Sequence, residues 1–168
     1  MATTVHNNIR KASLEFASSI RWESPFAVTL TFKTAYYANR IRVPLTAIDA
    51  SQNLRHFLNL LNRAIYTKVE RRKGAAISCV AVREDNGVRP HLHLCLDKPA
   101  RLSNEQFCAL VTICWHRTRF GYAEVDIKPC TDLHGWLGYM TKYRTKSDYS
   151  DAIDWMNVHS GRRVYTPS

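Results

Sequence analysis

Apolar and polar residues alternate in four short stretches of the chain, which is the pattern of β-strands with one buried face. In the first stretch, "FAVTLTFK", the apolar side chains share one face, and Thr29 and Thr31 share the other. Between the second and third stretches, "DNG" favours a hairpin turn, because Asn and Gly tolerate the left-handed backbone conformation. The strands are predicted over 26–33, 75–84, 90–96 and 122–129.

Three longer stretches repeat apolar residues at intervals of three and four, which is the spacing of amphipathic helices. Ser103 and Gln106 have the spacing of a capping box, and Gly121 suits a helix stop. Asp132 is predicted to cap the last main helix. The helices are predicted over 49–69, 103–121 and 131–146, with shorter ones over 9–20 and 149–157, and 34–45 is predicted as a loop rich in Tyr, Arg and Asn.

The order of these elements predicts a fold class. Strand, helix, strand, strand, helix and strand, followed by a last helix, predict an α+β protein of the ferredoxin-like, split βαβ type. In that fold the first and third strands are central in one antiparallel sheet, two helices cover one face, and the other face is open. A length of 168 residues fits a single domain, with a core over 26–146 and extensions over 1–24 and 147–168.

The charge of the chain points to a polyanionic partner. The sequence holds 24 Lys and Arg against 14 Asp and Glu, which is a formal net charge of +10. Such an excess attracts nucleic acid. Arg71, Arg72 and Lys73 form the densest basic cluster. We expect this cluster to contact DNA phosphates, and a solvated helix end is the alternative.

Cysteine usage and apolar content bear on the compartment. The five cysteines form no C-x-x-C pair and are odd in number, so we expect reduced thiols, some of them in the core. No apolar run approaches the roughly 18 residues of a membrane span. The first residues, "MATTVHNNIRKASLEF", lack the apolar centre of a signal peptide. We therefore expect a cytoplasmic protein with no membrane partner.

The third predicted strand carries two histidines, in "RPHLHLCLDKP". Its leucines point to one face, and His91, His93 and Cys95 point to the other. Two imidazoles on one rigid face can bind one metal ion, and Glu84, across the predicted hairpin, can supply a carboxylate. Asp126 is the reserve candidate, since it faces the same side on the fourth strand, about 10 Å away. Two solvent-exposed histidines without a metal are the alternative.

The last predicted helix carries two tyrosines, each followed three residues later by a lysine, in "YMTKYRTK". Tyr139 and Tyr143 are four residues apart and therefore neighbours on one helix face. Lys142 and Lys146 continue the same stripe. Two half-buried tyrosines with solvated lysines are the alternative. The glycines of "HGWLGY" weaken the helix, and they predict that another surface approaches closely there.

These motifs together resemble those of a known family, the HUH (His-hydrophobic-His) endonucleases. "FAVTLTF", "HLHL" and "YMTKYRTK" are similar to its three motifs, in order, and the resemblance covers about residues 26–146. The paired tyrosines look most like the replication initiators of isometric single-stranded DNA phages and the two-tyrosine transposases. Glu84, seven residues before the first histidine, is similar to the acidic ligand position of parvoviral initiator nuclease domains.

The resemblance implies a metal-dependent enzyme that nicks and joins single-stranded or locally melted origin DNA to initiate rolling-circle replication. Mg²⁺ or Mn²⁺ would polarise the scissile phosphate. A tyrosine would attack it, leaving a 5′-phosphotyrosine link and a free 3′-hydroxyl, and host replication proteins are possible partners. The resemblance assigns the metal to His91, His93 and Glu84, the attack to Tyr139 or Tyr143, and assistance to Lys142 and Lys146.

Three alternatives compete with this interpretation. A two-tyrosine transposase would use the same active site and the same chemistry. A non-catalytic nucleic-acid-binding module on a ferredoxin-like sheet would present aromatic side chains on its strands, whereas the open faces here carry His, Thr, Glu and Asp. A two-histidine phosphoesterase needs a pair of H-x-[ST] motifs, which the chain lacks.

Overall fold

The computed structural model describes residues 2–85, 89–141 and 153–161, with side chains described from residue 11 onward. It contains both helices and strands in an α+β arrangement. The elements are α1 (Ala2–Ser19), β1 (Pro25–Phe32), β2 (Ala35–Ala38), β3 (Ile41–Pro44), α2 (Ala47–Ile65), α3 (Lys68–Arg72), β4 (Cys79–Asp85), β5 (Pro90–Asp97), α4 (Asn104–His116), β6 (Gly121–Pro129), α5 (Leu133–Met140) and a 3-10 turn at Trp155–Asn157.

Four strands form one antiparallel sheet in the order β4-β5-β1-β6. The first and third predicted strands, β1 and β5, are therefore central, as predicted. In the register of β1 against β5, Thr29 lies opposite His93 and Thr31 lies opposite His91. Glu84 of β4 lies opposite His91 from the other side. The register thus lines up polar side chains from three strands at one end of one sheet face.

Helices α2 and α4 pack on one face of the sheet, here called the first face, and the main core lies between them and that face. Leu92, Leu94 and Leu96 of β5 point into it and are almost fully buried, as the alternation predicts. Trp115 of α4 packs edge-on against Phe32 of β1 and Phe57 of α2, with ring centroids 5.2 and 5.7 Å apart. Burial of such large aromatic side chains contributes several kcal/mol to folding and holds both helices on this face.

The second face of the sheet is covered over part of its area, whereas the sequence predicts it to be open. A smaller apolar cluster joins β4 and β5 to α1 and α5. Val80 and Val82 of β4 are buried there, because α1 and α5 both lie over this side of the sheet. The members of the cluster are Ala17, Ile20, Val80, Val82, Cys95, Leu137, Met140 and Ile153.

The outer edge of β4 is paired by a segment close to the end of the described chain. Ile153 bridges to Val82 and His159 bridges to Cys79, both in antiparallel sense. The pairing covers backbone groups that an edge strand would otherwise expose. The predicted short helix over 149–157 is a 3-10 turn at Trp155–Asn157 within this segment.

Several predicted boundaries are wrong, including the start of the first helix, which is Ala2 and not residue 9, and the start of the second predicted strand, which is Cys79 and not residue 75. The predicted loop at 34–45 is a hairpin of β2 and β3. The predicted helix at 49–69 ends at Ile65, since Tyr66 has an extended backbone, and α3 starts anew behind the capping box of Thr67. Gly121 begins β6 and is not the stop of α4, which ends at His116.

Two predicted helix caps are confirmed. Ser103 and Gln106 form the capping box of α4. The Asp132 side chain accepts a hydrogen bond from the Gly135 backbone at the start of α5. The predicted "DNG" turn and the end of the last predicted helix lie outside the described residues, apart from Asp85 and Thr141. None of the helices that the structure describes has the length and apolar character needed to cross a membrane.

Candidate active site

The second face of β5 presents two imidazoles, each held by a threonine of the neighbouring strand. A hydrogen bond of 3.1 Å joins Thr29 Oγ1 to Nδ1 of His93. A longer one of 3.4 Å joins Thr31 Oγ1 to Nδ1 of His91. The two ring centroids are 6.4 Å apart. Engaging Nδ1 orients each ring and leaves Nε2 as the nitrogen that faces away from β1, which is the role of second-shell partners in metal sites.

The carboxylate of Glu84 contacts His93, the more buried of these two histidines. His93 Nε2 lies 3.0 Å from Glu84 Oε2, and the side chains are only 7% and 16% exposed. Glu84 faces His91 in the strand register, yet its carboxylate reaches along the sheet to His93. A hydrogen bond to a carboxylate in so sheltered a place is stronger than the same contact at the surface.

Helix α5 brings one of the predicted tyrosines to these histidines. The rings of Tyr139 and His93 are edge to face, with centroids 5.5 Å apart. Tyr139 also stacks on Trp136, at 5.5 Å and an interplanar angle of 15°. The Trp136 indole lies edge to face with His93, with ring centroids 5.7 Å apart. It also donates a hydrogen bond of 3.0 Å to the carbonyl of Leu94. Tyr139 remains 47% exposed, so a substrate can reach it.

The sequence of α5 explains this placement. Asp132 caps the first turn, and Leu137 and Met140 bury their side chains in the smaller apolar cluster. Trp136 and Tyr139 are three residues apart, so they share the adjoining stripe that faces the histidines. The apolar stripe therefore determines which side of the helix carries the tyrosine.

An open cleft of about 350 Å³ surrounds these groups. Its far wall belongs to β6, where Glu124 pairs with Arg89 at 3.9 Å and Asp126 pairs with Lys128 at 2.9 Å. The cleft therefore combines imidazole, carboxylate, hydroxyl and phenol groups. It is lined by Thr29, Thr31, Glu84, His91, His93, Glu124, Asp126 and Tyr139.

The donor types in the cleft suit a divalent cation, since imidazole and carboxylate groups together bind Mn²⁺ and related ions. Within the described chain, no three His, Cys, Asp or Glu side chains converge in a metal-binding arrangement. Two of the predicted ligands, His93 and Glu84, are in direct contact, and His91 lies beside them. Cys95, the next residue on this strand face, is fully buried in the smaller apolar cluster and does not line the cleft.

Of the other predicted site residues, Tyr143, Lys142 and Lys146 lie outside the described residues. The basic cluster of Arg71, Arg72 and Lys73 lies at the end of α3, and the structure does not bring it to the cleft.

The position of α3 follows from its contacts. Glu70 of α3 forms an ion pair of 2.7 Å with Arg101, which follows the end of β5. His91 is near the start of β5, about 20 Å away by strand rise. The helix follows α2, which packs on the side of the sheet opposite the histidines. DNA binding by the basic cluster stays a prediction, at a distance from the cleft.

The two glycines of α5 have different surroundings within the described part of the chain. A Cβ at Gly135 would meet the capping carboxylate of Asp132 at 2.1 Å, so that glycine serves the helix cap. A Cβ at Gly138 would have no described heavy atom within 4 Å outside the backbone of its own helix. Tyr139 reaches His93 through the packing of its helix rather than through a glycine contact.

The sequence pattern assigns no role to Thr29 and Thr31 in the cleft or to Trp136 beside it. Thr29 and Thr31 were placed on the correct strand face, but alternation alone does not say which strand lies beside the histidines. The pairing of β1 with β5 provides that information. The role of Trp136 cannot be read from helical spacing, because an indole that both packs and stacks has the same spacing as one that only packs.

Comparison of the chain with protein families, with curated proteins and with solved structures finds no significant match. The function is therefore inferred from the chemistry of the cleft itself.

Proposed function

We propose that this protein is a metal-dependent endonuclease of the HUH class that nicks and rejoins single-stranded DNA through a tyrosine. The single observation that carries the proposal is the contact between Tyr139 and the His93–Glu84 pair in an open cleft. A phenol beside a histidine–carboxylate pair is the combination that covalent cleavage of a phosphodiester needs. The net charge of +10 favours a polyanionic substrate.

We also propose that the fold is of the ferredoxin-like type. The antiparallel strand order β4-β5-β1-β6, with α2 and α4 together on one face, supports this assignment. Such a sheet would present the central strands β1 and β5, with their Thr–His pairs, to a substrate on the opposite face.

In this mechanism His91, His93 and Glu84 would hold Mg²⁺ or Mn²⁺. The bound ion would supply Lewis-acid polarisation of the scissile phosphate. Thr29 and Thr31 keep the imidazoles oriented through their Nδ1 atoms.

Tyr139 performs the displacement. Its phenol oxygen forms a bond to phosphorus, the bond to the 3′-oxygen breaks, and that oxygen takes up a proton to become a hydroxyl. A phenol with a pKa near 10 must lose its own proton first. We propose that Lys142 and Lys146 favour this ionisation and that Tyr143 carries out a second transfer. Attack of the 3′-hydroxyl on the phosphotyrosine reverses the step and rejoins the strand.

Cleavage of end-labelled oligonucleotides tests this function. A single-stranded library is incubated with the protein and Mn²⁺ and run on a denaturing gel. Strands labelled at the 3′ end should remain covalently attached to the protein, while 5′-labelled fragments should be released with free 3′-hydroxyls. The double variant with His91→Ala and His93→Ala, and wild type in EDTA, should give no adduct. An adduct of unchanged yield in EDTA would refute the metal-dependent mechanism.

The alternatives lead to different results in the same assay. A two-tyrosine transposase would form the same adduct, because it uses the same chemistry. A non-catalytic binding module would bind the strand without cleaving it. The Trp136–Tyr139 stack supports that last alternative, since stacked aromatic side chains bind unpaired bases.

A further inference from the structure

The β2–β3 hairpin leaves the sheet at the same end as the candidate site. Thr31, opposite His91, is the second-last residue of β1, and β2 begins four residues later. The base of the hairpin is closed by a hydrogen bond of 2.9 Å from the Leu45 amide to the Thr34 carbonyl. The hairpin therefore begins at the end of the sheet that carries the candidate site.

The hairpin is attached firmly to the body of the protein. Tyr36 of β2 packs edge-on against Phe120, with ring centroids 5.1 Å apart. The Arg119 guanidinium lies over the Tyr36 ring, 4.9 Å from its centroid. The Lys33 amide donates a hydrogen bond of 2.8 Å to the Phe120 carbonyl. These contacts hold the base of the hairpin against the body of the protein.

The turn at the tip has an unfavourable residue. Asn39 and Arg40 have φ angles of 50° and 68°, so both central residues of the two-residue turn are left-handed. Such turns favour Asn-Gly, because glycine has no Cβ to clash. An arginine there costs stability that a glycine would not. A strained residue of this kind indicates a use for its side chain.

The exposed side of the hairpin has the composition of a nucleic-acid contact. Tyr37 is 72% exposed and lies opposite Arg42 across the two strands. Lys33, Arg40 and Arg42 are all exposed, and the stretch 33–46 contains no Asp or Glu. A free aromatic face beside arginines can stack on an unpaired base while the cations contact phosphates.

We propose that this hairpin binds the single-stranded DNA segment that flanks the phosphate held in the cleft. Arg40 and Arg42 contact the backbone, and Tyr37 stacks on a base. The proposal rests on the proposed function, from which it takes the class of substrate. It goes beyond that function in naming a binding surface on β2 and β3, separate from the groups that perform the chemistry.

The strained arginine allows a test that separates folding from binding. In Arg40→Gly the turn relaxes, so the unfolding midpoint should stay the same or rise. Binding of a fluorescent single-stranded oligonucleotide in EDTA should nevertheless weaken by about tenfold. The slope of log K against log salt should fall by about 0.7 for one lost phosphate contact. Arg40→Lys should restore the slope because it restores the charge.

A second variant and a charge-matched control complete the test. Tyr37→Ala should weaken binding of the single strand by about tenfold and leave binding of a blunt duplex nearly unchanged, because paired bases cannot stack on it. The variant with Arg63→Gln alone removes one positive charge on the exposed side of α2. If Arg40→Gly weakens binding no more than Arg63→Gln does, the proposal is overturned. Since no cleavage is measured, failure of the nuclease mechanism would appear separately, as binding without adduct formation.

Discussion

At the scale of single residues, the site depends on pairs formed across neighbouring strands. Two threonines of β1 hold two histidines of β5 through hydrogen bonds to Nδ1. The spacing of the histidines can be predicted from the sequence, because alternation along a strand is a local property. The threonine partners cannot, since they depend on which strands pair and in which register.

Thr29→Val tests whether the hydroxyl orients the site. The substitution keeps the shape of the side chain and removes the hydrogen bond to His93, so we expect Mn²⁺ affinity to fall by about tenfold. Isothermal calorimetry with Mn²⁺ alone measures this change without DNA. Thr112→Val is the matched control, because the Thr112 hydroxyl bonds to the Cys108 carbonyl within α4. Equal affinities for the two variants would contradict the orienting role.

A second prediction at the residue scale concerns which carboxylate, Glu84 or Asp126, is the third metal ligand. Glu84 contacts His93 at 3.0 Å. Asp126, on the far wall of the cleft, pairs with Lys128 of the same strand. Glu84→Gln should therefore weaken Mn²⁺ binding, by about tenfold or more, while Asp126→Asn should have a smaller effect. The same calorimetric titration compares them. The opposite order would move the third ligand from β4 to β6.

At the scale of elements, a buried amide connects α2 to the turn before β6. Asn53 accepts a hydrogen bond from the Phe120 amide and donates one to the Thr118 hydroxyl, both at 3.0 Å. Phe120 also supports the β2–β3 hairpin through Tyr36. The amide thus helps to hold the surface to which the hairpin is attached.

Asn53→Ala should lower the free energy of unfolding by about 2 kcal/mol, because it leaves a buried amide hydrogen without a partner. Asn59→Ala on the exposed side of the same helix should change it by less than about 0.5 kcal/mol. Urea titration followed by circular dichroism gives both values. A loss at Asn53 as small as that at Asn59 would mean that the amide contributes nothing measurable.

Elements with a strong repeating pattern were predicted well, and those with a short or unusual pattern were not. β1, β5 and β6 follow from alternation, and the cap of α4 follows from its capping box. The β2–β3 hairpin was missed because its turn uses Asn-Arg in place of Asn-Gly. The end of α2 was missed because the apolar spacing continues through Tyr66 into α3, although the backbone does not.

At the scale of the whole molecule, the two faces of the sheet have different roles. One face is buried under α2 and α4 and provides the main core. The other is divided between a small apolar cluster with α1 and α5 and the open polar cleft. Net charge could be read from the sequence, but its distribution could not. The densest basic cluster, Arg71 to Lys73, lies away from the cleft. The basic β2–β3 hairpin begins at the end of the sheet that carries the cleft.

The central claim is that a tyrosine of α5 becomes joined to DNA, and peptide mapping of the adduct tests it most directly. After reaction with an oligonucleotide and Mn²⁺, the protein is digested with protease and nuclease and analysed by mass spectrometry. The account predicts a nucleotide attached to Tyr139 in wild type and little initial adduct in Tyr139→Phe, which keeps the ring and its stack on Trp136. An adduct of undiminished yield in a protein with both Tyr139→Phe and Tyr143→Phe would contradict it.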